Sequence, residues 1–144
     1  MMRIALQEAR AAAARGEVPV GAVVSDAAGR VLARAGNRVE ELRDPTAHAE
    51  MLALREALRL RGDKQLAGCT LTVTLEPCAM CAQAASHARI ARVVFGAYDP
   101  KSGGVEHGAR VFSHAQAHHK PEVVGGVNEA ECAEILRDFF ATLR

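Results

Sequence analysis

A chain of 144 residues, 49% hydrophobic and 24% charged, is long enough to bury one substantial core and is read as a single domain over 1–144. No stretch approaches the roughly 20 apolar residues that cross a bilayer, which excludes a helical membrane protein. The net charge of +1 lacks the basic excess typical of nucleic-acid binders, so charge alone favours a small-molecule enzyme or a protein with a local basic patch.

Ile4, Leu6, Ala9 and the run Ala11 to Ala14 predict a first helix, stopped near Gly16 and Pro19. Gln7, Glu8 and Arg10 interrupt this stretch, so it lacks the apolar centre of a signal peptide and a cytoplasmic protein is expected. Val18 to Ser25 and Arg30 to Ala35 read as strands joined by the turn Asp26-Ala27-Ala28-Gly29. Thr46 is the expected N-cap of a second helix carrying Met51, Leu52, Leu54, Leu58 and Leu60, which Gly62 ends. Leu71 to Leu75 is a third strand, and Pro77 suits the first turn of a third helix. Arg92 to Gly96 and Glu122 to Gly125 complete the strands, and a closing helix runs from about Glu129 to Leu143. Alternating strands and helices indicate a layered α/β domain. The irregular segment Lys101 to Gly108 is the candidate for a mobile, substrate-facing loop.

Two short strings carry the chemistry: His48-Ala49-Glu50 and Pro77-Cys78-Ala79-Met80-Cys81. Cys78 and Cys81 stand three apart at a helix start, so both sulfurs face one side, where free N–H groups favour thiolates. His48 and Glu50 stand two apart and diverge, so one can hold a metal while the other leans over its open face. A histidine and two cysteines leave a tetrahedral zinc with its fourth position for water, and the carboxylate can carry protons for that water. A structural zinc completed by Cys69, Cys132, His87, His107, His114, His118 or His119 is the competing reading. Glu50 beside the ligand, and a helix start at each half of the motif, count against it. Cys69 and Cys132 read as packed thiols. The pattern H-x-E…P-C-x-x-C is the established signature of zinc-dependent nucleobase deaminases.

With these residues in place, the chain resembles the bacterial tRNA-specific adenosine deaminases of the cytidine deaminase-like fold. The resemblance rests on Glu17 to Val23, Gly36-Asn37-Arg38, Asp44 to Glu50, Val73 to Cys81, Arg89-Ile90, Val94 to Ala97, Asp99, Lys101 and Phe139-Phe140. It implies a three-layer α/β/α fold with a mixed five-stranded sheet, one zinc per subunit and a homodimer. It also implies conversion of the wobble adenosine of an arginine tRNA anticodon to inosine, with release of ammonia. In that scheme Glu50 takes a proton from zinc-bound water, delivers it to N1 of the base and later returns one to the departing amine. Asn37 and the backbone at Ala49 would contact the base, and Val20 would pack on the purine. Asp99 and Lys101 would lie near the flipped nucleotide and its neighbours, and His87, His119 and Phe140 would line the anticodon-loop groove. Tyr98, His118 and the segment Gly104 to Arg110 depart from the common pattern, all in the RNA-reading region. A free nucleobase or nucleoside deaminase of guanine or cytosine type would share the metal site. A zinc-stabilised RNA-binding module without turnover would have no use for Glu50.

Overall fold

Met2, Ala5, Leu6, Ala9 and Ala12 recur at helical spacing and form the buried face of α1, Met2–Ala14. The computed structural model describes residues 1–143. After α1 the chain forms β1 (Gly21–Ser25), β2 (Val31–Gly36), the short α2 (Val39–Leu42) and α3 (Ala49–Arg61). It continues through β3 (Thr70–Leu75), α4 (Ala79–His87), β4 (Arg92–Ala97), a 3-10 turn at Val111–Ser113, β5 (Glu122–Val124) and α5 (Glu129–Thr142).

The strands make one sheet in the order β2-β1-β3-β4-β5. β1 pairs antiparallel with β2 and β3, whereas β3, β4 and β5 run parallel, so the sheet is mixed. Side chains alternate across it. Ala22, Val24, Leu71, Val73, Val93 and Phe95 pack under α3 and α4, with Ala53, Leu54, Ala57, Ala82 and Ala85. Val23 packs on the opposite face with Leu6 of α1 and Cys132 of α5. Two helical layers therefore enclose the sheet, as expected of a three-layer α/β/α domain.

Small residues set the layer spacing. Gly21 and Gly36 oppose each other across β1 and β2. A Cβ at either position would collide with the α1 backbone, at the carbonyls of Ala5 and Glu8. The helix therefore rests directly on the paired glycines.

The structure corrects several boundaries. Val18 to Val20 lie outside β1, which begins only at Gly21. The N-cap of α3 is His48, not Thr46. The Thr46 hydroxyl instead donates to Asp44 Oδ1 at 2.7 Å, and its N–H donates to the same oxygen at 2.8 Å. Likewise Pro77 precedes α4, whose N-cap is Cys78. Gly62 ends α3 as expected, in the left-handed region at φ 67°. The four-residue α2 has too few residues to show a periodicity.

The registers Gly21↔Gly36, Ala22↔Val73 and Leu75↔Ala97 bring the start of β1 and the ends of β2, β3 and β4 to one edge of the sheet. Val20, Asn37, Glu76 to Cys78 and Asp99 all leave the sheet there. Ligand sites of open α/β sheets form at this kind of edge, where strands end and connections diverge.

Candidate active site

His48 and Cys78 occupy equivalent places, each the N-cap of a helix with extended backbone, at φ −72° and φ −71°. Neither side chain caps its own helix, which leaves imidazole and thiol free to face each other. His48 Nδ1 lies 3.6 Å from Cys78 Sγ and 3.5 Å from Cys81 Sγ. One ligand atom from each of the three residues lies within 4.8 Å of the others. A tetrahedral zinc with Zn–S of about 2.3 Å and Zn–N of about 2.0–2.1 Å requires N···S separations of about 3.5 Å. The donor set and its spacing therefore fit zinc, bound through Nδ1 of the histidine.

The electrostatics agree. The Cys81 thiol hydrogen-bonds to Cys78 and, against burial, holds it down to about 4, with help from His48. Cys81 is pushed up in turn, by that same hydrogen bond and by burial. His48 is raised, chiefly by its hydrogen bond to Cys78 and against the effect of burial. A thiolate held beside an imidazole suits a soft dication.

Glu50 follows His48 by two positions, in the first turn of α3, and is only 4% exposed. Burial pushes its carboxyl up to about 7. It lines a cavity of about 640 Å³ together with His48, Cys78, Val20, Asn37 and Leu75. Asp99 and Ser102 line it as well, as do Phe139, Phe140 and Leu143 of the closing segment, of which Phe140 and Leu143 are exposed. A metal-ligand cluster, a buried carboxylate and an apolar pocket thus meet at one place.

The other expected site residues divide. Val20 is buried and lines the pocket. Asn37 lines the pocket but is also structural: its Oδ1 accepts the Ala49 N–H at 2.8 Å, and its Nδ2 donates to the Val18 carbonyl at 3.1 Å. The Ala49 N–H is thereby committed to Asn37. Phe140 lines the pocket and is 45% exposed, edge-on to Phe139 at 5.4 Å. Asp99 lines the wall, whereas the neighbouring Lys101 is exposed and does not line the cavity. His87 and His119 lie outside it as well. His87 is exposed at the end of α4, 5.9 Å from the His118 ring. His119 Nε2 is 2.7 Å from the Ile90 carbonyl, and its backbone is tied twice to Ser86 Oγ. A second concavity of about 660 Å³ is lined by Gln83, Val111 and His114 to His118, and shares no residue with the first.

Two buried glutamates of the pocket, Glu17 and Glu76, lie in the strings that carry the resemblance but were given no role there. Glu17 accepts the N–H groups of Glu40 at 3.1 Å and Glu41 at 2.8 Å, and so caps α2 from a distance. Glu76, just before Pro77, accepts N–H groups of the segment expected to be a mobile loop. Burial raises its pKa, but the hydrogen bonds from Asp99, His107 and their neighbours outweigh it and hold the carboxyl below its ordinary value. Tyr98, a departure from the family pattern, stands edge-on to Phe95 at 5.1 Å and to His107 at 6.2 Å.

Comparison with known proteins agrees with this geometry. The family model of the cytidine and deoxycytidylate deaminase zinc-binding region matches residues 1–97, which include all three candidate ligands. The tRNA-specific adenosine deaminase of Agrobacterium fabrum is 56% identical over 144 residues, covering 99% of this chain and 93% of that protein. A solved structure from studies of A-to-I editing by tRNA:A34 deaminases at the wobble position superimposes with a TM-score of 0.91 at 55% identity. That match covers 94% of this chain and 97% of the other. Guanine deaminase from Nitrosomonas europaea shares the fold at a TM-score of 0.80 but only 26% identity, over 97% of this chain and 82% of the other. With the zinc-binding region matched and such identity sustained along its length, the chain belongs to the tRNA-specific adenosine deaminases of the cytidine and deoxycytidylate deaminase family.

Proposed function

We propose that the protein hydrolyses the wobble adenosine of an arginine tRNA anticodon to inosine, releasing ammonia. One observation carries the reading: Glu50 is buried at the pocket, two residues from His48, beside the His48–Cys78–Cys81 cluster. Those three side chains would hold one zinc per subunit, and the bound metal supplies Lewis acidity that activates a water at neutral pH.

The chain's own residues do the rest. Glu50 accepts a proton from the attacking water as its oxygen bonds to C6 of adenine, and passes that proton to N1. It then moves the proton of the new C6 hydroxyl to the exocyclic nitrogen, so that the C6–N bond breaks, C6=O forms and ammonia leaves. Low exposure strengthens these transfers by keeping bulk water from the carboxylate. Val20 and Leu75 offer apolar surface to the purine, and Asn37 stands at the rim with its amide fixed by Val18 and Ala49. Phe139 and Phe140, which line the pocket, offer stacking surfaces for neighbouring bases of a loop. Asp99, Lys101, His87 and His119 belong to the RNA-facing surface in this reading, with the last three outside the pocket itself.

The substrate assignment rests on the relatives. The matched A34-deaminase structure is 55% identical to the chain and the guanine deaminase 26%. We further propose a single catalytic domain over 1–144, acting as a cytoplasmic homodimer. Among the described residues no helix is long and apolar enough to cross a membrane.

The test is a side-by-side assay of the zinc-loaded protein on an anticodon stem-loop with adenosine at the wobble position, and on free guanine, cytosine and adenosine. Inosine formed in the stem-loop, with the free compounds unreacted, is the expected result. Turnover of a free base with none on the stem-loop would replace this reading by that of a free nucleobase deaminase.

A further inference from the structure

Among the described residues three carboxylates are buried, those of Glu17, Glu50 and Glu76. Glu50 has its role in the reaction and Glu17 caps α2. Glu76 makes five contacts, all to one segment. Its Oε1 accepts the Asp99 N–H at 3.1 Å and meets His107 Nδ1 at 2.7 Å. Its Oε2 accepts the N–H groups of Val105 at 3.1 Å, Glu106 at 2.9 Å and His107 at 3.1 Å. No other side chain among the described residues accepts from four backbone amides.

The segment so held is also pressed onto the turn that carries Cys78. The Gly104 N–H donates to the Pro77 carbonyl at 2.8 Å, and Gly103 N–H to the Asp99 carbonyl at 2.8 Å. A Cβ at Gly103 would strike the Glu76 carboxylate, and one at Gly104 the backbone of Cys78 and Ala79. Asp99 and Ser102 of this segment form a wall of the pocket.

We propose that Glu76 is a positioning residue for substrate. Its carboxylate clamps residues 99–107 onto the Cys78 turn, so that Asp99 and Ser102 meet the RNA as a wall already formed. The inference rests on the reading of the pocket as a nucleotide site in RNA. A segment with four amides unsatisfied would adopt many arrangements, and binding would have to order it at a cost in affinity. His48 and Glu50 begin α3 and Cys81 lies within α4, away from the clamp; Cys78 alone adjoins it, and zinc content reports whether that ligand stays in place. Glutamine at this position cannot serve four N–H donors, because its own amide is a donor where Glu76 offers a second acceptor. Phenylalanine at 107 keeps a ring beside Tyr98 and removes the side-chain donor.

The test compares wild type, Glu76→Gln and His107→Phe, each with zinc content measured. Two readouts are taken: hydrogen exchange of the amides at 105–107, and kcat and KM on the wobble-adenosine stem-loop. Glu76→Gln is expected to keep its zinc, to exchange these amides at least about tenfold faster, and to raise KM about tenfold with a smaller loss in kcat. His107→Phe is expected to show the same pattern more weakly, and carries the test alone if the glutamine variant does not fold. Unchanged exchange at 105–107, or a collapse of kcat at constant KM, would overturn the proposal. A wild type that leaves the stem-loop unreacted would contradict the functional reading and the substrate role with it. The exchange rates need no substrate, so that outcome stays separable from failure of the clamp.

Discussion

Asn37 and Ala49 are joined by a 2.8 Å hydrogen bond from the Ala49 N–H to the Asn37 side-chain oxygen, and this bond sets where α3 begins. His48 is the N-cap, so its backbone is extended and its ring leaves the helix axis toward the two cysteines. Asn37 satisfies the first free N–H of α3 in place of the histidine, whose own side chain is engaged elsewhere.

Replacing Asn37 by alanine should therefore act on stability as well as on activity. The Ala49 N–H would lose its acceptor, at a cost of about 1–3 kcal/mol. Chemical denaturation of the zinc-loaded protein checks this. A variant as stable as wild type would show that water replaces the bond freely.

Cys78→Ala should remove zinc, because the remaining imidazole and single thiol leave two of the expected three ligands. Elemental analysis should find well under one zinc per chain, together with a lowered Tm, since a metal bound only by the folded state stabilises it. Full zinc occupancy in this variant would show that the ligand set is wrong.

The cluster of His48, Cys78 and Cys81 was legible in the sequence because metal binding requires fixed residue types at short fixed spacings, and Glu50 was legible only by its place beside His48. The layers were legible too, since β3 alternates threonine with leucine and valine, β4 is a short apolar run and α1 has a clear helical period. The N-caps were less so. Thr46 is a favourable capping residue in isolation, but the Asp44 turn takes both its hydroxyl and its N–H. Glu76 was illegible for a different reason: its partners are backbone amides 23 to 31 positions away, which leave no mark in residue type.

Gly21→Ala should weaken the packing of α1 on the sheet. The added methyl would meet the Ala5 carbonyl and the Ala9 backbone, neither of which is a movable side-chain end. Overpacking of this kind costs about 1–3 kcal/mol. A thermal melt should show a fall of several degrees, and an unchanged Tm would mean that α1 can ride outward without loss.

Salt should act on substrate binding and leave metal retention alone. The net charge is only +1, so attraction to RNA must come from local phosphate contacts. Two or three such contacts to a single-stranded loop predict about a tenfold weaker Kd between 50 and 200 mM salt. A Kd independent of salt would mean that the RNA backbone is not gripped.

In the proposed reaction Glu50 moves the protons of a hydrolytic deamination on RNA. Single turnover of Glu50→Gln beside wild type, both carrying zinc, on the wobble-adenosine stem-loop measures that role. Removing the proton carrier from an intact pocket should slow inosine formation by at least about 10²–10⁴-fold, the usual worth of general acid–base catalysis, while stem-loop binding persists. Inosine formed by Glu50→Gln at the wild-type rate would show that Glu50 does not carry these protons.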